Sequence, residues 1–198
     1  MNSQNLALIL IDIQRDFWGP LKKYSEFEAF PENISNLLFN ARELKVPIIH
    51  IKSSFNPDRS NWMMFYRPHG QVNVPCIEGS VGAVIEDFAE PLQNEIIVIK
   101  QTFDGFINTN LMEVLEAHDI KGALFAGLET SVCILFTATS AYLRDIVPIV
   151  VSDACADEPM RHEATLRMYR DLCFKTVTTN RVRYEWQSVE HLVEQFVK

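Results

Sequence analysis

Three residues of this chain have the types and positions for nucleophilic chemistry: Asp12, Lys100 and Cys133. Asp12 directly follows the apolar run LALILI, and Lys100 closes the run EIIVIK. Cys133 follows the run ALFA and the turn 127–131, at the start of an apolar helical stretch. If those runs are parallel strands of one sheet, an acid, an ammonium and a thiol share its carboxyl edge, where open α/β sheets bind ligands. Taken singly, each residue has an ordinary reading. A carboxylate after a strand caps a turn, a strand-end lysine carries its head to water, and a cysteine in an apolar helix is a small core hydrophobe. The coincidence of all three at one edge is what points to chemistry. A free thiol titrates near about 8.5, and a helix N-terminus or a nearby ammonium lowers that. The carboxyl reference lies about 4.6 units lower, roughly 6 kcal/mol for direct proton transfer. Asp12 is a competent base only if burial raises it while Lys100 and the helix end favour the thiolate, so the three must titrate as a coupled unit.

The elements that would position them follow from hydrophobic patterning. Strands are expected at 6–11, 47–51, 95–100, 123–126, 147–151 and 174–178, mostly rich in Ile, Val and Leu throughout, the mark of parallel strands covered on both faces. Helical patterns lie between them. Ile34, Leu37, Leu38, Ala41 and Leu44 form one stripe, and Leu111, Val114, Leu115 and His118 another, with Thr109 or Asn108 as its N-cap. The nearly all-apolar stretch 131–143 reads as a buried helix, 159–172 opens on a proline, and 185–197 closes the chain. Strands alternating with helices give a three-layer α/β/α sandwich with a six-stranded parallel sheet, one domain over 1–198. One connection breaks the rhythm. More than forty residues separate the second and third strands, with one modest helical pattern at 81–88. This stretch carries Phe55, Trp62, Phe65, Tyr66 and His69. Two readings of it stand open, a loop packing its own aromatics or a wall of a substrate pocket.

Composition excludes several classes. The 198 residues carry 18 Lys and Arg against 26 Asp and Glu, a net charge of −8, with no basic run to bind nucleic acid or an anionic membrane surface. With 47% hydrophobic residues the chain can bury a core. Four cysteines (Cys76, Cys133, Cys155 and Cys173) are too few for a disulfide scaffold and form no zinc-finger spacing. The N-terminus lacks a basic region and a small-residue cleavage site, so it reads as a strand and the expected compartment is the cytoplasm. No glycine-rich phosphate loop is present, and no cofactor is expected.

Against this background the chain resembles the isochorismatase-like cysteine hydrolases, the superfamily of nicotinamidases, N-carbamoylsarcosine amidases and ureidoacrylate amidases. LILIDIQRDF is similar to the family's opening strand with its catalytic Asp, here Asp12. IVIKQTFDGFINTNL is similar to the lysine strand, giving Lys100, and FAGLETSVCILFTATSAY to the nucleophile segment, giving Cys133. VVSDACADEP and HEATL resemble the closing motifs. The resemblance implies strand order 3-2-1-4-5-6 and a homodimer or larger homo-oligomer. It also implies an oxyanion hole from the Val132 and Cys133 N–H groups, and a cis peptide before the nucleophile, placed here at Ser131–Val132. The implied reaction is hydrolysis of a small amide or ureide through a Cys133 thioester, with Asp12 as general acid and base.

The sequence departs from the nicotinamidases. Their metal site needs an Asp and paired His after the second strand, whereas this chain has Asp58 and His69 without a second histidine, so no metal is expected. Phe17 and Phe103 are expected in the pocket, with Trp62, Tyr66 and Gln14 as further contacts, against the alternative that they and their neighbours Trp18 and Phe106 are core residues. Thr130 would brace the nucleophile turn. His118 and His162 are expected to pack or face solvent, Cys155 to be structural, and Cys76 and Cys173 to be inert. Two other activities compete with amide hydrolysis, a thiol-independent vinyl ether cleavage and a silent binding module on the same scaffold.

Overall fold

The computed structural model describes residues 5–68 and 73–196. Its centre is a six-stranded, all-parallel sheet in the order β3-β2-β1-β4-β5-β6. The strands are β1 (Leu6–Ile11), β2 (Ile48–Ser53), β3 (Ile96–Lys100), β4 (Gly122–Leu128), β5 (Val147–Ala156) and β6 (Lys175–Val177). Alternation along β1 explains the layers. Leu6, Leu8 and Leu10 enter one core with residues of α2 (Phe30–Glu43), α6 (Thr179–Tyr184) and α7 (Trp186–Glu194). Ala7, Ile9 and Ile11 enter the other, with α3 (Leu111–Ala117), α4 (Leu135–Tyr142) and one side of α5 (Pro159–Tyr169). A short helix, α1 (Arg15–Trp18), follows β1. Topology reverses between β1 and β4, which makes the carboxyl ends of these strands the expected crevice.

Several expectations need correction. The stretch read as one helix from Ser131 to Leu143 opens with a five-residue π turn, Thr130–Ile134, before α4 begins. Nor is it wholly buried. Only its sheet-facing residues, such as Ile134, Ala138 and Ala141, enter the core, while Phe136, Tyr142 and Leu143 are exposed on the opposite side. The pattern at 81–88 yields two single 3₁₀ turns, Val81–Ala83 and Asp87–Ala89, because the segment is tied to β1 and α1 by backbone bonds at Ile13 and Arg15. Helix α3 starts at Leu111, where the Thr109 hydroxyl accepts from the Leu111 N–H.

One polar cluster inside the fold gives a stability prediction. His50 on β2 is buried and bonds Glu95 at 2.9 Å, and Arg42 grips the same carboxylate at 2.7 and 3.1 Å. Burial holds His50 below its ordinary value of 6.5, against the pull of Glu95. A base with a lowered folded pKa binds its proton more readily in the unfolded chain. Its contribution is therefore complete above pH 6.5 and is lost as the pH falls below it. Replacing His50 with Gln will flatten the loss of urea stability on going from pH 7 to 5. The slope removed is at most about 1.4 kcal/mol per pH unit; an unchanged slope in the variant would show that His50 does not couple folding to protons.

Candidate active site

Asp12, Ser53 and Lys100 stand at the carboxyl ends of the adjacent strands β1, β2 and β3. Strands lie about 4.8 Å apart, so a group on β3 must cross about 10 Å to reach one on β1. A lysine side chain is long enough, and a serine on the strand between is small enough to let it pass. The Lys100 ammonium lies 2.6 Å from Asp12 Oδ2 and donates to Ser53 Oγ at 3.0 Å and to the Thr102 carbonyl at 2.9 Å. It also reaches Cys133 Sγ at 3.4 Å. Ser53 Oγ in turn donates to Asp12 Oδ1 at 3.0 Å. Three hydrogen bonds thus occupy the three ammonium protons, and Asp12 Oδ2 meets the ammonium as an ion pair outside hydrogen-bond geometry. Asp12 and Lys100 are each 1% exposed. Asp12 has φ 52, a left-handed conformation that Asp tolerates better than most side chains, and its backbone N–H bonds the Ile51 carbonyl.

Cys133 reaches this cluster from β4. At Gly127, with φ +123, a Cβ would lie 2.1 Å from the Ile11 carbonyl oxygen, so only glycine lets β4 pass this close to β1. The cis peptide lies at Leu128–Glu129, not at Ser131–Val132 as the resemblance implied. Ser131 and Val132 fall inside the π turn, which is built of trans peptides. A π turn of this kind is frequent at functional sites. Asp157, at the end of β5, anchors it. One carboxylate oxygen accepts from the Ser131 N–H at 2.7 Å and hydroxyl at 2.6 Å, and the other from the Glu158 N–H at 2.6 Å. Replacing Asp157 with Ala strands these donors. It will cost about 2–3 kcal/mol of unfolding stability, measured by urea denaturation, and will lower kcat more than it raises KM. A variant with wild-type kcat would show that the anchor does not place the thiol.

Of the expected oxyanion pair, one donor already has a partner in this structure. The Val132 N–H donates to the Glu129 carbonyl at 3.1 Å, as does the Ile134 N–H. In this structure Val132 is therefore already engaged by the turn that carries it.

The cluster opens into a cavity of about 590 Å³. Its wall is aromatic: Phe17, Phe55, Phe65, Tyr66, Phe103 and Phe136. Lys100, Cys133, Ser53, Glu129 and Arg161 are among its polar lining. Phe103 packs between Phe65 at 5.6 Å and Phe136 at 6.0 Å, forming a ladder at the mouth. The long connection packs its own aromatics and also lines the cavity. Phe55, Trp62, Tyr66, Val74 and Cys76 form a satellite core, and Phe55, Phe65 and Tyr66 also face the cavity.

Two residues expected to touch substrate do not line it. Trp62 is buried behind the wall with its indole N–H on the Asn56 carbonyl. Gln14 is fully buried, donating to the Ser53 and Ala83 carbonyls and accepting from the Ser53 N–H. It braces the end of β2 because each polar atom of its amide finds a backbone partner there. Trp18 and Phe106 belong to the cores. Thr130 bonds His162 at 2.8 Å, and His162 packs edge-on against Phe27. Asp58 is turned to its own loop, accepting from Ser60, and His69 lies outside the described residues. Among the described residues no three His, Cys, Asp or Glu side chains gather as a metal site, and no helix is long and apolar enough to cross a membrane.

Burial pushes the Cys133 thiol up; Lys100 opposes this and the Asp12 carboxylate adds to it. Burial works to lower Lys100, and the Asp12 carboxylate works most strongly against it, so that the ammonium stays charged. The resting arrangement is thus a neutral thiol beside a buried ion pair, contrary to the expectation of a lowered thiol pKa. Burial likewise pushes Cys76 and Cys155 up.

Ser53, Glu129, Asp157 and Arg161 were missed by the sequence reading. Ser53 had a usable signal, since it ends the strand between those of Asp12 and Lys100. Asp157 sat in a recognised motif without an assigned role, and nothing in the sequence singled out Arg161.

Comparison with known proteins agrees with this architecture. The isochorismatase domain family matches residues 6–181. A ureidoacrylate amidohydrolase of Methylorubrum extorquens is 27% identical over 185 residues, covering 81% of this chain and 74% of that protein. A probable inactive nicotinamidase of Arabidopsis thaliana is 24% identical over 190 residues, covering 92% and 95%. The crystal structure of a cysteine hydrolase from Pseudomonas syringae pv. phaseolicola superposes with a TM-score of 0.86 at 23% identity, covering 95% of each chain. Sheet order, strand-end cluster and family match converge: the chain belongs to the isochorismatase family.

Proposed function

We propose that this protein is a cysteine hydrolase that cleaves the C–N bond of a small amide or ureide. The observation that supports this most directly is the buried Asp12–Lys100 ion pair set 3.4 Å from the Cys133 sulfur, at the floor of an aromatic cavity. The thiol gives its proton to Asp12 as sulfur attacks the carbonyl carbon, and the C–S bond forms as the C=O π pair moves to oxygen. Lys100 shifts from its other acceptors toward the sulfur as charge develops there. N–H groups of the 132–133 turn hold the oxyanion, which competes with the Glu129 carbonyl for the Val132 N–H. The intermediate collapses with C–N cleavage, and protonated Asp12 returns its proton to the departing amine or ammonia. Water then attacks the thioester, giving the acid and restoring the thiol. Phe17, Tyr66 and Phe103 contact the substrate from the wall.

The experiment is a screen of small amides and ureides for ammonia release, with intact-mass detection of an acyl adduct on Cys133. Ammonia release together with an adduct 17 mass units short of protein plus amide substrate supports the reading. Substrate cleavage that survives loss of the thiol assigns a thiol-independent reaction such as vinyl ether cleavage. Cys133 reacting no faster than the other thiols, with no turnover, assigns a silent scaffold.

A further inference from the structure

The cavity holds one carboxyl group that neither the proposed mechanism nor the fold uses. Glu129 follows β4 directly, and its backbone is fixed because its carbonyl accepts from both Val132 and Ile134. Its carboxyl lines the cavity beside Val132 and Cys133 yet makes no hydrogen bond or ion pair with any described residue. Other charged groups of the lining are accounted for differently. Asp16 accepts from the Cys76 N–H at 2.7 Å, and Lys100 is held by Asp12 and Ser53. Arg161 stands close enough to couple electrostatically with Glu129 but forms no ion pair with it. Burial, with Asp157 and Asp12 adding to it, pushes the Glu129 carboxyl up, and only Arg161 opposes this. A carboxyl that faces the cavity with no partner among the described residues is open to accept a hydrogen bond from a molecule bound there.

We infer that Glu129 is a specificity-determining residue that accepts a hydrogen bond from an N–H of the substrate, and so selects amides and ureides over esters. The geometry favours this role because the residue sits one turn from the nucleophile. A substrate whose carbonyl carbon is bonded to the Cys133 sulfur in the tetrahedral intermediate would then place its departing nitrogen, or the distal nitrogen of a ureide, within the same small volume. Either ionisation state of the carboxyl presents an acceptor oxygen. An ester of the same shape has no N–H to offer, and it would leave the carboxyl unpaired.

This inference rests on the hydrolase reading, and its test separates the two. Acetamide and phenylacetamide are compared with methyl acetate and methyl phenylacetate, on wild type, Glu129→Met and Glu129→Ala. The measured quantity is the amide-to-ester ratio of kcat/KM. In parallel, each compound is titrated as a protectant of Cys133 against methyl methanethiosulfonate, which reports binding without turnover. Both variants lack an acceptor oxygen and should lower the amide-to-ester preference about 10- to 100-fold. The Met variant keeps the side chain's length, so the comparison survives a folding defect in the Ala variant. A fall of fivefold or more in the Met variant, for either amide–ester pair, supports the role. A smaller fall for both pairs, or no protection by any amide, overturns it. Protection by amides without hydrolysis of any of the four compounds counts against the hydrolase reading alone, and the amide-to-ester ratio of the protection constants, with the same fivefold threshold, then decides the role of Glu129.

Discussion

Replacing Cys133 with Ala will lower kcat by on the order of 10⁴-fold or more, and no acyl adduct will form on the protein. The reasoning is that the cluster acts as one unit. Without sulfur, the Asp12–Lys100 pair has no nucleophile to activate, and what survives is only binding and oxyanion stabilisation by the turn. The folded structure tolerates the change, because the only atom lost is the sulfur of a small side chain. A large cavity is not created, so the urea midpoint should fall by about 1 kcal/mol or less in stability terms. The pairing of a large kinetic effect with a small stability effect is the signature to look for. Cys133→Ser is the companion variant, since a hydroxyl keeps the shape but is a poorer nucleophile beside the same base. Full activity in the Ala protein would sink the nucleophile assignment, and equal losses of stability and activity would turn Cys133 into a packing residue.

Replacing Lys100 with Met produces the second large effect, on folding as well as on turnover. Lys100 and Asp12 are both 1% exposed, so removing the ammonium leaves a carboxylate buried without its counter-charge. Breaking a buried pair in this way costs about 3–5 kcal/mol. For a chain of this size, 1 kcal/mol shifts Tm by about 2–4 °C, and a drop of about 6–20 °C follows. Asp12→Asn alone should also destabilise, because the ammonium then loses its closest partner at 2.6 Å. The double variant Asp12→Asn/Lys100→Met removes both charges, so it should recover more than half of the stability lost by Lys100→Met. All three proteins should be inactive. A double-variant cycle in which the two losses simply add would show that the ion pair is not a unit in the folded protein. The destabilisation also explains why such a pair is kept at all. Two well-packed apolar side chains at these positions would hold the sheet edge at least as well, and what they could not do is move a proton.

The Asp12, Lys100 and Cys133 placement was legible because each residue sits at a fixed offset from an apolar run. Runs of Ile, Val and Leu mark parallel strands by composition alone, and the residue after such a run is held at the sheet edge wherever the strand ends. The six strands and their α/β alternation were readable for the same reason. Gln14 and Trp62 were misread because polarity and aromaticity say what a side chain can bond, not which way it points. Gln14 faces the backbone of β2 and the 83 carbonyl, across sequence separations that no local pattern records. The helix at 131–143 was read as continuous because its composition is continuous. The π turn at its start depends on where Glu129 and Asp157 lie, one residue before it and more than twenty after it.

By itself the sequence determined the layer architecture, the family resemblance, and the three residues that end or follow strands at one edge. These depend on the period of apolar residues and on short motifs, which are local properties of the chain. Tertiary structure alone decided how the groups meet. It set Ser53 between the acid and the ammonium, left the Cys133 thiol protonated at rest, spent the Val132 N–H on the Glu129 carbonyl, and turned the Glu129 carboxyl into the cavity without a partner. Each of these is a matter of desolvation or of a hydrogen bond between residues far apart in the chain, and such energies exist only once the strands have been brought side by side.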